Sequence, residues 1–207
     1  MFSELASKKC LACDAVNLQP NLLCSTCYST LNFITYNAQD KYHAIFLYRD
    51  LIKILLLDYK QNDQLHLLGF LASQIIAYSK EYNLQFEYVA ALPISRKKLF
   101  KRGFNQSAAL AKRVAKLTGK KFLFDLLYSS NAVEQKILRK KQRQKNLVGK
   151  FTLNKKYQHS GIFQDKNILL IDDIITTGST FSEALKQLEG IGAKKIIPLA
   201  IAHPVIY

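Results

Sequence analysis

The segment Ile168–Thr180, which reads ILLIDDIITTGST, constrains the fold of this 207-residue chain more than any other. Its four leading apolar residues are typical of a short strand that is buried inside a parallel sheet. Two carboxylates, Asp172 and Asp173, follow, and a turn rich in hydroxyl groups leads into a helix predicted over Ser179–Leu188. Because ligands of open α/β sheets bind beyond the carboxyl ends of the strands, this segment predicts a binding site there.

The residue types at this predicted edge favour a sugar phosphate as the ligand. Asp172 and Asp173 can accept hydrogen bonds from a vicinal diol such as the 2′ and 3′ hydroxyls of ribose. The turn beyond them offers backbone N–H groups and hydroxyls at a helix N-terminus, where the helix dipole favours a phosphate. Its residues are Thr176, Thr177, Gly178, Ser179 and Thr180. The alternative is an N-capped helix that follows two solvated aspartates.

From Phe86 onward, predicted strands and helices alternate, which indicates an α/β fold with a parallel sheet and helices on both faces. The further predicted elements are strands over Phe86–Leu92, Phe122–Tyr128 and Lys195–Ala202 and a helix over Asn105–Leu117. Two helices are predicted upstream, over Ile45–Lys60 and Gln64–Tyr82, because apolar residues recur there at three- and four-residue steps. The polar, basic stretch Ser129–Lys145 has no sustained apolar stripe and predicts a loop.

The four cysteines of the chain form two CxxC pairs separated by ten residues, namely Cys10, Cys13, Cys24 and Cys27. Two such pairs supply four thiolates for a tetrahedral Zn²⁺, and a site closed by four cysteines is structural rather than catalytic. We therefore expect residues 1–37 to form a separate zinc-ribbon-like module in which the metal replaces a hydrophobic core. Four unrelated thiols or a redox pair are the alternatives.

Positive charge is concentrated in the middle of the chain. The sequence has 30 Lys and Arg against 15 Asp and Glu, and residues 96–156 contain 19 of the basic and only two of the acidic side chains. Such a block indicates nucleic acid or polyphosphate binding, unless it is simply a solvated face. Phe100 and Phe104 lie beside it and could stack on single-stranded bases. The predicted nucleic-acid contacts are Lys98, Lys101, Arg102, Lys136, Arg139, Lys140, Arg143 and Lys145.

Neither a signal peptide nor a transmembrane segment is recognisable in the sequence. Residues 1–9 lack the continuous apolar core of a signal peptide. The most apolar stretch, Ala44–Leu57, is interrupted by charges and falls short of the roughly 20 residues that a bilayer requires. The sequence therefore predicts a cytoplasmic protein whose thiols stay reduced.

The segment Ile168–Thr180 resembles, at every position, the signature with which type I phosphoribosyltransferases bind phosphoribosyl pyrophosphate (PRPP). Other parts are similar to the ComF family of competence proteins. These are the four-cysteine segment, the pair Tyr59 and Lys60, and the stretches Ala91–Gln106 and Gln135–Phe151. The resemblance implies a type I phosphoribosyltransferase-like fold over residues 38–207, with a helical lead-in at residues 38–83 and a mobile hood loop at residues 129–150.

The resemblance also implies roles for individual residues. Asp172 and Asp173 take the catalytic role at the ribose hydroxyls, with Mg²⁺ bridging oxygens of PRPP, and the turn Thr176–Thr180 takes the 5-phosphate. Arg96 and Lys97, after the strand predicted up to Leu92, take the pyrophosphate. Close to them, three residues belong either to the same anion site or to the cap and packing of the next helix, namely Arg102, Asn105 and Gln106.

The function that the resemblance implies is that of a PRPP-binding, zinc-stabilised competence protein, which binds and handles single-stranded DNA in the cytoplasm during natural transformation. DNA-uptake helicases or recombination loading proteins are its implied protein partners. An active phosphoribosyltransferase, which joins PRPP to a base or another acceptor and releases pyrophosphate, is the second hypothesis. Against base transfer, Thr176 stands where the oxopurine transferases carry an aspartate as general base. An adaptor that only holds protein partners is the third hypothesis.

Overall fold

The computed structural model describes residues 8–17, 22–37, 40–61, 65–129 and 150–204. The strands are β1 (Lys8–Lys9), β2 (Val16–Asn17), β3 (His43–Leu47), β4 (Tyr88–Ala91), β5 (Lys121–Leu123), β6 (Leu127–Ser129), β7 (Phe151–Leu153), β8 (Asn167–Ile174) and β9 (Lys195–His203). The helices are α1 (Ser25–Ser29), α2 (Asp50–Gln61), α3 (Leu65–Glu81), α4 (Arg96–Arg102), α5 (Gln106–Thr118) and α6 (Ser179–Leu188). Among these described helices, none has the length and apolar character needed to cross a bilayer.

Five strands form one sheet in the order β3-β9-β8-β4-β5, and all neighbouring pairs are parallel. The central strand β8 is buried on both sides. Its Leu169 and Ile171 belong to a cluster that α2, α3 and α5 complete, whereas Ile168 and Leu170 belong to a second cluster with α6 and the antiparallel pair β6–β7. A parallel sheet covered by helices on both faces is the predicted fold, which is thus confirmed.

The segment with the four cysteines packs onto the helices that precede β4. Leu23 and Leu31 are buried in the same apolar cluster as residues of α3. The Tyr28 hydroxyl donates a hydrogen bond to Gln74 Oε1 at 3.0 Å. Loosening this segment would therefore expose part of the core of the sheet domain.

Two predicted elements are wrong. The helix predicted over Ile45–Lys60 is a strand, β3, followed by a helix, α2, that begins only at Asp50. Residues 44–47 form an unbroken apolar run, which fits a buried strand as well as a buried helix, and pairing with β9 decides for the strand. The strand predicted over Phe122–Tyr128 is two strands, because β5 ends at Leu123 and β6 pairs with β7 outside the main sheet.

A polar network fixes the connection between β5 and β6. The Asp125 carboxylate accepts hydrogen bonds from the Tyr157 hydroxyl at 2.8 Å and from Asn154 Nδ2 at 3.0 Å, and it pairs with Lys156 Nζ at 2.6 Å. Burial alone would raise the pKa of Asp125, but these partners outweigh burial and lower it. The network joins residues on both sides of segment 130–149, which lies outside the described residues.

Candidate functional site

The carboxyl end of β8 carries the two carboxylates that the sequence predicts at the centre of the site. Asp172 Oδ1 accepts hydrogen bonds from the Ser107 hydroxyl at 2.7 Å and from the Asp173 backbone N–H at 2.9 Å. Asp173 Oδ2 pairs with Lys60 Nζ at 2.9 Å, and its Oδ1 accepts a hydrogen bond from the Ile174 backbone N–H at 2.7 Å. Side chains from α5 and α2 thus hold the carboxylates of β8 in place.

The pKa of Asp172 is unusually high for a carboxyl group. Burial raises its pKa to about 7, and the negative charge of the neighbouring Asp173 adds to the effect. The hydrogen bond from Ser107 and the positive charge of Lys60 act in the opposite direction but are smaller. Asp172 can therefore gain or lose a proton close to neutral pH.

The turn after β8 leads into the N-terminus of α6, where the Ser179 backbone N–H donates a hydrogen bond to Thr177 Oγ1 at 3.4 Å. Gly178, with φ of +72°, is the N-cap of α6 and supplies no side-chain hydrogen bond to its first N–H groups. This left-handed conformation favours glycine, and a Cβ at this position would collide with the ring of Tyr42. Thr177 Oγ1 donates to Ser179 Oγ at 3.0 Å. Because Thr176 and Thr177 are exposed, an anion from solvent can reach the turn.

Lys150 lies at the same turn. Its Nζ donates a hydrogen bond to Thr180 Oγ1 at 3.4 Å. Burial lowers the pKa of Lys150, and the positive charge of Lys98 on α4 lowers it further. Lys150 therefore places a cation at the turn, and its charge interacts with that of Lys98 on α4.

The segment after β4 is a short helix, α4, which was not among the predicted elements. Ser95 begins the helix, because its hydroxyl accepts a hydrogen bond from the Lys98 backbone N–H at 3.3 Å. Arg96 and Lys97 have exposed side chains in the first turn of α4. They lie just beyond β4, which is the direct neighbour of β8 in the sheet.

Asn105 and Gln106 serve the start of α5. Asn105 Oδ1 accepts a hydrogen bond from the Ala108 backbone N–H at 3.3 Å, and its Nδ2 donates to the Leu92 carbonyl at 3.1 Å. Gln106 is buried, and its Oε1 accepts a hydrogen bond from Arg102 Nη1 at 3.1 Å. Asn105 therefore caps α5. Gln106 orients the Arg102 guanidinium, but its buried Nε2 has no hydrogen-bond partner among the described residues.

The four predicted metal ligands meet in the amino-terminal segment. The Sγ atoms of Cys10, Cys13, Cys24 and Cys27 all lie within 4.8 Å of one another, and those of Cys13 and Cys24 are 3.8 Å apart. Four zinc–sulfur bonds of about 2.3 Å in a tetrahedron place the sulfur atoms about 3.8 Å apart, so the cluster fits such an ion. The backbone N–H groups of Cys24 and Ala12 point at Cys10 Sγ from 3.3 and 3.5 Å.

The pKa values of these thiols also show that they influence one another's ionisation. Burial would raise the pKa of Cys10, but hydrogen bonds from backbone N–H groups outweigh burial and lower it to about 6. The neighbouring Cys13 thiol raises the pKa of Cys27 to about 12. Four thiolates at this spacing repel one another, and a bound metal ion removes that repulsion.

Four residues at the site were not among the predicted site residues, namely Tyr42, Lys60, Ser107 and Lys150. Lys60 was noted only through its resemblance to the ComF pattern. Ser107 reaches Asp172 across 65 positions of the chain, and Lys150 reaches Thr180 across 30. No local pattern in the sequence marks such contacts.

The predicted nucleic-acid contacts fall into two groups. Lys98, Lys101 and Arg102 belong to α4, beside the proposed pyrophosphate position. The others lie within segment 130–149, outside the part of the chain that the structure describes, and are Lys136, Arg139, Lys140, Arg143 and Lys145. Most of the predicted hood loop, residues 129–150, belongs to the same segment, so this prediction also lies largely outside the described residues.

Known proteins resemble this chain in sequence. The chain is 33% identical over 155 residues to the competence protein ComFC of Streptococcus pneumoniae, and the aligned region covers 75% of this chain and 64% of that protein. It is 28% identical over 111 residues to the competence protein F of Haemophilus influenzae, and here the aligned region covers 53% of this chain and 47% of that protein. The matches therefore span about half to two thirds of the length of these relatives.

A solved hypoxanthine-guanine phosphoribosyltransferase from Schistosoma mansoni, in complex with IMP, matches at 15% identity and a TM-score of 0.29, over 68% of this chain and 64% of that chain. This likeness is too weak to bear on function. A family model, the phosphoribosyl transferase domain, matches residues 101–203, which include β8, both of its carboxylates and the turn into α6. The chain is therefore similar in sequence to the competence proteins ComFC and F, and its residues 101–203 match the phosphoribosyl transferase domain.

Proposed function

We propose that this chain is a PRPP-binding, zinc-stabilised competence protein that handles single-stranded DNA in the cytoplasm. The observation that carries the proposal is the pair Asp172 and Asp173 at the end of β8, beside the N-terminus of α6, whose N-cap residue Gly178 has no side chain. The phosphoribosyl transferase domain supports PRPP as the ligand. The names of two relatives, both competence proteins, support a role in natural transformation, where DNA-uptake helicases or recombination loading proteins would be its partners.

In the proposed complex, different elements contact different parts of PRPP. Asp172 and Asp173 accept hydrogen bonds from the ribose hydroxyls, and the N–H groups and hydroxyls of Thr176–Thr180 bind the 5-phosphate. Arg96 and Lys97 on α4 bind the pyrophosphate group, where the planar arginine fork can hold two oxygens at once. The ligand would thus bridge the ends of β8 and β4, which are adjacent strands.

The same donor set suits Mg²⁺. Asp172 and Asp173 offer two neighbouring carboxylates, and Mg²⁺ commonly binds through one or two carboxylates together with substrate phosphates. When bound, the ion supplies positive charge that neutralises the pyrophosphate group. When no ion is bound, the hydrogen bond from Ser107 and the ion pair with Lys60 keep the two carboxylates oriented.

Zn²⁺ is the metal we assign to Cys10, Cys13, Cys24 and Cys27. Four thiolates at tetrahedral spacing are its preferred structural site, and such a closed set leaves no position for a substrate. We therefore give the ion a structural role.

PRPP binding should strengthen as Asp172 loses its proton. With a pKa of about 7, this carboxyl group is mostly protonated at pH 6 and mostly ionised at pH 8. We expect the affinity for Mg²⁺–PRPP, measured by isothermal titration calorimetry, to be about tenfold weaker at pH 6 than at pH 8. The variant Asp172→Asn, which lacks the titrating carboxyl group, controls for protonation of the phosphates. An affinity of the parent protein for PRPP that changes with pH no more than that of Asp172→Asn would contradict the role of Asp172.

Helix α4 carries the described part of the proposed DNA contact. Lys98 and Lys101 are exposed, and between them Phe100 is 95% exposed. An exposed aromatic ring among cations suits stacking on the bases of a single strand. Because α4 follows β4 directly, DNA bound there would lie next to the pyrophosphate position.

A charge-removal experiment tests the DNA contact. We expect the double variant Lys98→Ala, Lys101→Ala to bind single-stranded DNA about tenfold more weakly at low salt than the parent protein does. The slope of log affinity against log salt should fall by about 1.4, because each neutralised phosphate contributes about 0.7. Fluorescence anisotropy with a labelled oligonucleotide measures both.

The matched control removes two other exposed lysines, Lys166 and Lys194, which precede β8 and β9 at the opposite edge of the sheet. Its affinity and salt slope should stay close to those of the parent protein. Equal losses in both double variants would mean that only net charge matters, and the assignment of the contact to α4 would fail. An unchanged affinity in the α4 variant would also refute it.

Transfer of the phosphoribosyl group is a second candidate function, favoured by the match of residues 101–203 to the phosphoribosyl transferase domain. In that reaction the bond from ribose C1 to the pyrophosphate oxygen breaks, with its electron pair leaving on pyrophosphate. An acceptor nitrogen or oxygen bonds to C1, and its proton passes to Asp172 or to solvent. Pyrophosphate release from PRPP with a panel of acceptors tests it, and the absence of release above that of Asp172→Asn would exclude it.

A further inference from the structure

A cavity of about 230 Å³ lies beside the edge strand β3, and its walls are residues to which the proposed function assigns no role. Tyr36, Tyr42 and Tyr78 form the aromatic part of these walls. Asp40, Lys41 and His203 add polar groups. The volume corresponds to about eight water molecules, which is room for one planar ring system rather than for a nucleotide.

Two of the tyrosines are held in place by a buried histidine. The ring of Tyr36 stacks on His43 with centroids 4.0 Å apart, and the Tyr78 hydroxyl lies 3.2 Å from His43 Nδ1. Burial lowers the pKa of His43 to about 4, so its ring is neutral at physiological pH. Tyr82 packs against both tyrosines. A ligand would thus meet aromatic walls that are already ordered.

The polar groups at this cavity include a negatively charged carboxylate and nitrogen-bearing side chains. The Asp40 carboxylate is oriented by a hydrogen bond that its Oδ2 accepts from the Asn37 backbone N–H at 3.1 Å. Lys41 and His203 offer nitrogen atoms. A carboxylate repels phosphates but accepts hydrogen bonds from ring N–H and amino groups. The cavity therefore suits an uncharged ring with both donors and acceptors on its edge.

Tyr42 is a wall shared between this cavity and the turn into α6. Its ring fills the space where a Cβ of Gly178 would lie, and it stacks on Phe181 with centroids 5.7 Å apart. Its hydroxyl lies 2.6 Å from Ser182 Oγ, in the first turns of α6. A shift of Tyr42 would thus change the packing at the backbone that presents N–H groups to a 5-phosphate.

We propose that this cavity binds a nucleobase, between tyrosine rings and with its N–H edge toward Asp40, and that Tyr42 couples its occupancy to the turn Thr176–Thr180. The coupling rests on the proposed function, whereas the base site does not. The base could come from two sources, a free base or nucleoside, or a base of the single strand. Both present the same ring chemistry to the cavity.

Binding is tested by titrating the full-length protein with adenine, hypoxanthine, cytosine and a short oligothymidine, followed by calorimetry and by NMR shifts of the tyrosine rings. We expect saturable binding of at least one of these. Tyr36→Leu should weaken it roughly three- to tenfold and Asp40→Asn by about tenfold, because stacking and a charge-assisted hydrogen bond are lost. Asp40→Asn keeps the size of the side chain, so it remains informative if Tyr36→Leu fails to fold.

Tyr128→Leu is the matched control, since it removes a half-exposed tyrosine on β6, away from the cavity. Free bases that shift the tyrosine signals while the oligonucleotide does not would identify the metabolite source. An oligonucleotide that competes with the free base would identify the DNA source. No saturable binding of any probe, or binding that both cavity variants leave unchanged, would overturn the base site.

Coupling is tested with Ser182→Ala, which removes the hydrogen bond to Tyr42. In the parent protein, the bound base should change the affinity for Mg²⁺–PRPP at least about fivefold, and PRPP should change the affinity for the base by the same factor. In Ser182→Ala this factor should approach one while the base still binds. A factor of one in the parent protein would refute the coupling. If the protein bound the base but did not bind PRPP, the base site would be supported and the proposed function would be refuted.

Discussion

The double variant Asp172→Asn, Asp173→Asn should bind PRPP at least about a hundredfold more weakly than the parent protein. Each carboxylate is expected to accept a hydrogen bond from a ribose hydroxyl, and hydrogen bonds to charged groups contribute about 1.5–3 kcal/mol each. The change also removes both carboxylate ligands for Mg²⁺. Asparagine keeps the shape of the side chain and an oxygen that can still accept from Ser107, so we expect the fold to persist. Calorimetry at pH 8 with Mg²⁺ measures the loss.

Asp165→Asn is the control for this change. Asp165 is exposed, precedes the amino end of β8 at the far edge of the sheet, and has a φ of +58°, which asparagine also adopts readily. Its PRPP affinity and its melting temperature should equal those of the parent protein. If the double variant binds PRPP within a few-fold of the parent protein, the ribose hydroxyls are not at Asp172 and Asp173.

The variant Cys13→Ser should lose the bound metal and much of the stability of the protein. Cys13 is an exposed ligand, so the effect reports on the metal rather than on lost burial of the thiol. Because Leu23 and Leu31 are buried in the same cluster as α3, release of the metal would also loosen the core of the sheet domain. We expect a loss of at least about 3 kcal/mol, or about 10 °C in melting temperature.

Metal analysis of the purified protein and thermal unfolding, with and without a chelator, measure this effect. The parent protein should contain one equivalent of zinc and should melt at a lower temperature after chelation. Thr26→Ala, an exposed position between Cys24 and Cys27, is the control and should keep both the metal and the melting temperature. A Cys13→Ser protein that melts like the parent protein would show that the cluster has no structural role.

Much of the fold could be predicted because its central strands are unambiguous. Ile168–Ile171 is fully buried on both faces, as its four consecutive apolar residues predict, and α6 covers the predicted range Ser179–Leu188. The errors have a common cause. The apolar run in β3 fits either a strand or a helix, and only its pairing with β9, more than 150 positions away, selects the strand. Periodicity reports on one element at a time and carries no information on such pairing.

The candidate site could be predicted where its residues are neighbours in the sequence. Asp172, Asp173 and the turn after them belong to one segment, whose order of strand, carboxylates and glycine turn marks the site directly. Lys60 and Ser107 reach the carboxylates from other elements, through contacts that depend on how α2 and α5 pack on the sheet. The near-neutral pKa of Asp172 has the same origin, since burial is a property of the folded chain.

A crystal of the protein soaked with PRPP and Mg²⁺ tests the central claim most directly. We expect density for the ribose within hydrogen-bonding distance of Asp172 and Asp173, with the 5-phosphate on the N–H groups of Thr176–Thr180. The pyrophosphate group should extend toward Arg96. Density for PRPP at any other surface, or none at a concentration that saturates binding in solution, would contradict the assignment of this edge of the sheet as the PRPP site.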